Sequence, residues 1–380
     1  MARRIPLGEL CISKVPTLPY GFDDIIDYID ISSVDNESKA IVAHQEIEGT
    51  EAPSRARQLL EVGDVLVSTV RPNLNAVAYV ETAYKHTLVG STGYCVLRTK
   101  KGVDNRFVFY FCQSPYFIED MTAQATGASY PAVTASIVRN ATVPDYSFEK
   151  QKEIAQCLDS VTTLLVLRKQ QLAKLDELVK ARFIELFENE EYEKVTVSSV
   201  LNTGFWLMPA TPEFIVNGEV PYITSKNIKN RTIDFDNVKY ISREAYKSIS
   251  ANRPTQKGDI LVSMIGTLGQ TAVIKDDREF YGQNLYLLRL NNAIVNTTYF
   301  CEFFNSDTAQ YELQGKRNQS TQAYLKANHV EDLILPLPPM ELQDQFAAFV
   351  EQTDKSKLAV QQSIDQLEML KKSLMQKYFG

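Results

Sequence analysis

Two long stretches of the chain carry apolar residues at helical spacing, and the stretches around them shorten to the period of strands and turns. From Ser147 to Glu190 there is neither Gly nor Pro, and Leu158, Leu165, Leu172, Val179 and Leu186 recur every seven residues, with Leu175 and Leu178 beside them. From about Met340 to Phe379 a second stripe runs through Val360, Ile364, Leu367, Leu370, Leu374 and Tyr378. Both predict amphipathic helices with a heptad-like seam, about 60 Å long if forty residues are unbroken. Neither stripe has an obvious cover in its own domain, so the two helices are expected to bury these faces against each other. The pair is expected to run antiparallel, because a parallel pair would need the intervening chain to travel back along the full helix length.

The remaining sequence reads as short strands and turns. Val65-Leu66-Val67 and Ala76-Val77-Ala78-Tyr79-Val80 have the β-branched and aromatic content of strands, and Arg71-Pro72-Asn73-Leu74-Asn75 between them is a turn. Phe107 to Met121 is aromatic-rich and reads as a buried helix, and Gly127-Ala128-Ser129-Tyr130-Pro131 as a loop.

These elements occur twice. Gly63-Asp64-Val65-Leu66-Val67-Ser68 returns as Gly258-Asp259-Ile260-Leu261-Val262-Ser263, and Val96-Leu97-Arg98 answers Leu287-Leu288-Arg289. From Val143-Pro144 against Leu335-Pro336 to Phe187 against Phe379, the offset is a constant 192 residues. One unit of about 190 residues is written twice, the size of an ordinary domain. The expected organisation is a first domain over 1–147, a helix over 148–190, a second domain over 191–339 and a second helix over 340–380. The fold class is α+β: two similar mixed α/β domains, separated by an antiparallel, coiled-coil-like helix pair and related by a pseudo-twofold repeat.

Composition narrows the function. At 44% apolar and 23% charged, the 380 residues suffice for a core in each half. The basic start Met1-Ala2-Arg3-Arg4 is followed by no apolar run, and no segment has the length of a membrane span, so a cytoplasmic protein without membrane contact is expected. The five cysteines are scattered and read as buried free thiols. His44, His86 and His329 lie far apart, so neither a metal nor any cofactor is expected. A net charge of −7 argues against indiscriminate binding of nucleic acid, but the charge is uneven. Residues 23–61 hold ten acids against three bases, and 222–257 hold eight bases against three acids.

No catalytic signature is visible. The one Pro-Pro, Pro338-Pro339, lacks the flanking residues with which DNA methyltransferases hold a target amine, and no phosphate loop occurs. Pro144-Asp145 and Glu37-Ser38-Lys39 stand in the wrong order for a common nuclease pattern. The chain is expected not to be an enzyme by itself. What it offers is a set of planar, hydrogen-bonding side chains on corresponding loops. In the first repeat these are Arg71, Asn73, Asn75, Ser91, Thr92, Ser129 and Tyr130. In the second they include Lys226, Asn227, Lys229, Arg231, Gln283, Asn284, Lys316, Arg317, Asn318, Gln319 and Gln322. Arg, Asn and Gln make paired hydrogen bonds to purine edges, and Lys and Arg neutralise phosphates. Turn-forming is the ordinary alternative for the Asn residues.

The doubled order of Gly63 to Asn73, Ser91 to Arg98 and Gly127 to Val133, and Leu335-Pro336-Leu337-Pro338-Pro339 leading into the second helix, resembles the specificity subunits of type I restriction–modification systems. The resemblance covers nearly the whole chain. It implies two target-recognition domains, each reading half of a split double-stranded DNA site. It also implies spacer helices that dock two methyltransferase subunits, which restriction subunits join. Val143-Pro144-Asp145-Tyr146 departs from its counterpart Leu335-Pro336-Leu337-Pro338-Pro339. Two other readings stay open: a repeat scaffold or regulatory protein that binds protein partners, and a specificity module of another restriction–modification class. If helices hold two reading domains about 40 Å apart, at 3.4 Å per base-pair step, the half-sites should lie about 12 base pairs apart, roughly one helical turn.

Overall fold

The Val65–Ser68 strand buries all four of its residues, and its two faces enter different cores. Val65 and Val67 share a core with Phe107, Phe111 and Phe117, whereas Leu66 shares another with Ile29, Val80 and Val96. Alternation of side chains across a strand produces this split, and a strand covered on both faces reads as the continuous apolar run seen here. The Ile260–Ser263 strand repeats it: Ile260 and Val262 lie with Tyr299, Phe300 and Phe304, and Leu261 with Ile223 and Phe280. The computed structural model describes residues 3–188, 190–207, 211–216, 218–229, 231–266, 268–316 and 323–380.

Two compact units result, one from Met1–Gln170 with Gln361–Gly380, the other from Gln171–Val360. In the first, the strands Gln45–Glu48, Ile25–Ile29, Thr87–Ser91 and Ala56–Leu59 lie side by side in that order, with Ile25–Ile29 parallel to Thr87–Ser91. A second sheet orders Tyr94–Leu97, Val65–Ser68 and Val77–Tyr79 antiparallel. The second unit has the corresponding pieces. Val220–Ile223 runs parallel to Tyr281–Gly282, and Leu285–Leu290 pairs antiparallel with Ile260–Ser263. Short antiparallel ribbons, Arg4–Pro6 on Thr142–Pro144 and Glu193–Thr196 on Ile334–Leu337, precede each long helix.

The repeated Gly-Asp has a structural cause. Gly63 and Gly258 have φ of 96° and 91°, which L side chains rarely adopt. The next residue, Asp64 or Asp259, folds back to accept the backbone N–H three positions earlier, at 2.8 and 2.7 Å. Arg98 and Arg289 then hold these buried carboxylates. The motif is a corner that locks two neighbouring strands.

Phe107 to Met121 is two helices rather than one, Asn105–Phe111 and Pro115–Gln124. Ser114 caps the second by accepting from the Phe117 N–H, and Pro115 occupies its first turn, where a missing N–H costs nothing. Burial pushes the thiols of Cys11 and Cys95 up, to about 11 and about 12, and all five cysteines are free.

The long helices are Phe148–Phe183, continued as one wider π turn over Ile184–Glu188, and Met340–Phe379. Each is anchored at its start by a buried glutamine. Gln151 Oε1 accepts from the Asp104 N–H at 3.0 Å while its Nε2 donates to the Tyr146 carbonyl at 2.9 Å. Gln343 does the same with Asn296 and Pro338, both at 2.8 Å. Within each unit the helix segments run antiparallel. In the first, Lys150 lies near Tyr378 and Lys169 lies 3.9 Å from Glu368. In the second, Asp176 pairs with Lys357 at 2.7 Å and Phe183 packs on Phe346.

The cores draw on both helices. Ile154, Ala155 and Leu158 share the first core with Met375 and Phe379, from the far end of the other helix. Phe346 and Val350 share the second with Val179, Phe183 and Phe187. Along the seam Leu165, Val179, Val360 and Ile364 are buried, and Leu172, Leu175, Leu186, Leu367 and Leu374 are half-buried. Leu370 is 46% exposed; Met375 and Phe379, further along, turn inward instead.

Candidate nucleic-acid interface

In the first unit three loops converge where the Val65–Ser68 strand ends. Thr69 binds the Gly93 carbonyl through both its N–H and its Oγ1, each at 2.9 Å. The Arg71 N–H donates to the Pro131 carbonyl at 2.7 Å, and the Val133 N–H to the Thr69 carbonyl at 2.8 Å. Segments 69–75, 91–93 and 126–133 are thereby fastened together by backbone bonds that any side chain permits. Arg71 and Asn75 bracket a single 3₁₀ turn over Pro72–Leu74, both in the left-handed region at φ 49° and 48°. Gly127 has φ 102°, and a Cβ there would stand 2.8 Å from the Tyr130 carbonyl oxygen.

Of the side chains singled out in the first repeat, Arg71, Asn73, Thr92, Ser129 and Tyr130 are exposed. The Arg71 guanidinium lies 4.4 Å over the Tyr130 ring, which keeps 63% of its surface exposed. Stacking holds a planar, permanently charged donor fork clear of the surface without using its hydrogen bonds. Asn75 and Ser91 have another task. Asn75 is buried and its Nδ2 donates to the Cys112 carbonyl at 2.8 Å; Ser91 is fully buried and its Oγ accepts from the Gly93 N–H. They shape the loops from inside.

Sequence patterning passed over Arg55, Arg57 and Tyr20. Exposed Arg55 offers its carbonyl to the Thr92 N–H at 2.8 Å, and Arg57 lies 4.1 Å over Tyr20, which is 92% exposed. Arg55 and Arg57 stand out in the sequence only as bases in its most acidic stretch, and Tyr20 carries no signal there.

The second unit closes the same strand in the same way. The Met264 N–H donates to the Asn284 carbonyl at 3.2 Å, Ile265 bridges to Tyr324, and the Leu325 N–H donates to the Met264 carbonyl at 2.9 Å. Asn284 takes the left-handed conformation, φ 63°. Lys316 ends the Asp307–Lys316 helix with its ammonium 2.6 Å from Glu312. Arg317, Asn318, Gln319 and Gln322 lie outside the described residues, in the stretch of chain that corresponds to Gly127–Pro131.

The other second-repeat residues divide. Lys226 is exposed, and Lys229 is exposed but pairs with Asp234 at 2.7 Å. Asn227 closes its own turn, accepting from the Thr224 N–H at 2.9 Å and donating to the Asp234 carbonyl at 3.0 Å. Arg231 pairs with the buried Glu302, whose carboxyl is pushed up by burial and eased back by the guanidinium. Gln283 is half-buried and accepts from the Tyr222 hydroxyl at 3.4 Å.

Among the described residues no helix is long and apolar enough to cross a membrane. The family model of the type I restriction modification DNA specificity domain matches the chain twice, over residues 9–177 and 189–369. The MjaIX type I restriction enzyme specificity subunit of Methanocaldococcus jannaschii is 21% identical, with 83% of this chain and 76% of the relative covered. A putative type I specificity subunit of Haemophilus influenzae is also 21% identical, over 74% of each chain. Among solved structures, a chain from work on assembly and conformational transition of the type I R-M system superposes with a TM-score of 0.66 at 23% identity, covering 99% of this chain and 97% of the other. The S subunit from M. genitalium gives 0.60 at 14% identity, covering 100% and 96%. At such identities these two neighbours speak for the fold.

Proposed function

The chain belongs to the type I restriction modification DNA specificity family, and from that premise we propose that it is the non-catalytic subunit that reads a bipartite, asymmetric DNA target. Each unit reads one half-site with the loops that close its Gly-Asp strand. The observation that carries this is the exposed Arg71–Tyr130 stack on a loop set tied by backbone bonds, of which the Val70–Ala132 bridge recurs in the second unit as Ile265–Tyr324. Such a set keeps its shape while its side chains vary, as a reader of different sequences needs. Asymmetry follows from the loops themselves, Thr69-Val70-Arg71-Pro72-Asn73 in one unit and Met264-Ile265-Gly266-Thr267-Leu268 in the other.

The paired helices dock two methyltransferase subunits, and restriction subunits join through them, in the cytoplasm. Supporting this, Leu164, Val166 and Leu167 on the first helix and Met369 on the second are exposed, apolar surface that suits a protein partner. Methylome sequencing of a host carrying this gene with its methyltransferase tests the reading. Two unlike half-sites around an unread gap are expected, and a gap that changes when four residues are inserted into the first helix. One continuous or palindromic motif would count against it.

A further inference from the structure

Two of the chain's three histidines meet two carboxylates on one face of the first unit's larger sheet. Asp27 on the central Ile25–Ile29 strand stands directly opposite Glu46 on Gln45–Glu48. Like charges in that position repel, and a sheet tolerates them when a cation sits between. His44, two residues before Glu46, and His86, two before the Asp27 partner Leu88, fall on the same face by alternation. The Asp27 side chain is fully buried. Its Oδ2 accepts from the His86 backbone N–H at 2.7 Å, but its Oδ1 has no hydrogen-bond partner among the described residues. A buried carboxylate oxygen left in that state is costly.

What Oδ1 does face is the His44 Nε2, at 3.5 Å. The donor atoms of Asp27, His44 and Glu46 lie within 4.8 Å of one another. His86 Nε2, also buried and without a hydrogen-bond partner, lies 3.8 Å from Glu46. Ligands about 2.0–2.2 Å from a tetrahedral ion stand roughly 3.3–3.6 Å apart. The Tyr84 ring, edge-on to His44 at 5.2 Å, steadies that imidazole. Lys85 reaches Glu46 at 3.8 Å, but both are well exposed and such a contact is weak.

We propose that Asp27, His44 and Glu46 bind one divalent transition-metal ion, Zn2+ by the donor set of one imidazole and two carboxylates, with His86 beside Glu46 and outside the ligand set. The ion joins the Gln45–Glu48 strand to the central strand, whose Asp27 also holds the His86 backbone N–H at the turn that enters Thr87–Ser91. It is a structural clamp, and it sits on the strand whose far end carries Ser91 of the reading loops.

The test uses untagged full-length protein, stripped with a chelator and titrated with Zn2+ alone. Elemental analysis after gel filtration should find one Zn2+ per chain, and a Zn2+ concentration of about 100 Kd should raise the melting temperature by about 5–10 °C. His44→Ala, at the surface, should fold as well as the metal-free parent and bind Zn2+ weaker by well over about a hundredfold, beyond the effect of losing an outer-shell partner. Asp27→Asn should behave alike, and His329→Ala should bind as the parent does. Binding that is absent in the parent, or unchanged in both His44→Ala and Asp27→Asn, would overturn the assignment and leave an ion-paired cluster only.

Discussion

Arg98 grips Asp64 with two parallel hydrogen bonds, Nε to Oδ1 at 2.8 Å and Nη2 to Oδ2 at 2.7 Å. Arg289 and Asp259 reproduce the pair at 2.7 and 2.8 Å. Each arginine also donates to a carbonyl on the approach to the Gly-Asp corner, Leu59 or Pro254, at 3.0 Å. Removing one partner of a buried ion pair strands the other, at a cost of about 3–5 kcal/mol. Asp64→Ala should therefore lower the denaturation midpoint of the first unit, and Asp259→Ala that of the second. An Asp64→Ala chain that melts like the parent would refute the corner's role.

Contacts that read DNA should separate from contacts that shape the loops. Arg71→Ala is expected to weaken binding of the assembled methyltransferase complex by about 1–3 kcal/mol and to relax only the half-site read by the first unit. Tyr130→Ala, which frees the guanidinium, should do part of the same. Asn75→Ala, by contrast, removes a buried amide bonded to the Cys112 carbonyl. It should lower thermal stability by about 1–3 kcal/mol. Mobility shifts and thermal melts on the same three variants check both columns.

Phe379 is fully buried against Phe107 and Phe111, with ring centroids 5.4 and 5.8 Å apart. Phe379→Ala, next to the last residue, should cost about 3–5 kcal/mol and should loosen the first unit, 200 and more residues away in sequence. Hydrogen exchange localises the effect. Protection lost at Asn105–Phe111 and kept at Thr297–Phe304 is the expected pattern.

Lys39 supplies a pH signature. Burial, and next the charge of Lys371, push its ammonium down from 10.5 to about 8, while its Nζ donates to the Asn75 carbonyl at 2.6 Å. Between about 8 and 10.5 the unfolded chain holds this proton and the folded one does not, so stability rises with pH across that window. The contribution is complete above 10.5 and is lost as pH falls through about 8. Chemical denaturation at pH 7.5 and pH 10 should show this gain in the parent, measured as its difference from Lys39→Met.

The repeat is readable in the residues because its signals are local: a left-handed glycine, an aspartate that caps the corner, and an arginine in the next strand to hold it. The helices are readable because Gly and Pro are missing from them. Two things are not. A seven-residue stripe gives the buried face but not which domain covers it, so Phe183 and Phe346 sharing one core needed three dimensions. Likewise Asp27 comes from one strand and His44 and Glu46 from its neighbour, and no spacing rule joins residues that only a sheet register brings together. Among the residues proposed to read DNA, exposure sorts Arg71 from Asn75, and both are polar turn residues in the sequence.

The crossed completion of the cores sets an order of events during synthesis. Met375 and Phe379 are translated after the whole second unit, yet the rest of the core they finish lies before Gln170. At about 5–20 residues per second, the intervening stretch takes roughly 10–40 s to make. Throughout that interval Phe107, Phe111 and Ile154 lack their final cover, and the second unit, continuous from Gln171 to Val360, is complete in sequence before that cover arrives. The half encoded first is the half that closes last, and a nascent chain of this protein presents an open apolar seat to chaperones until Phe379 has emerged.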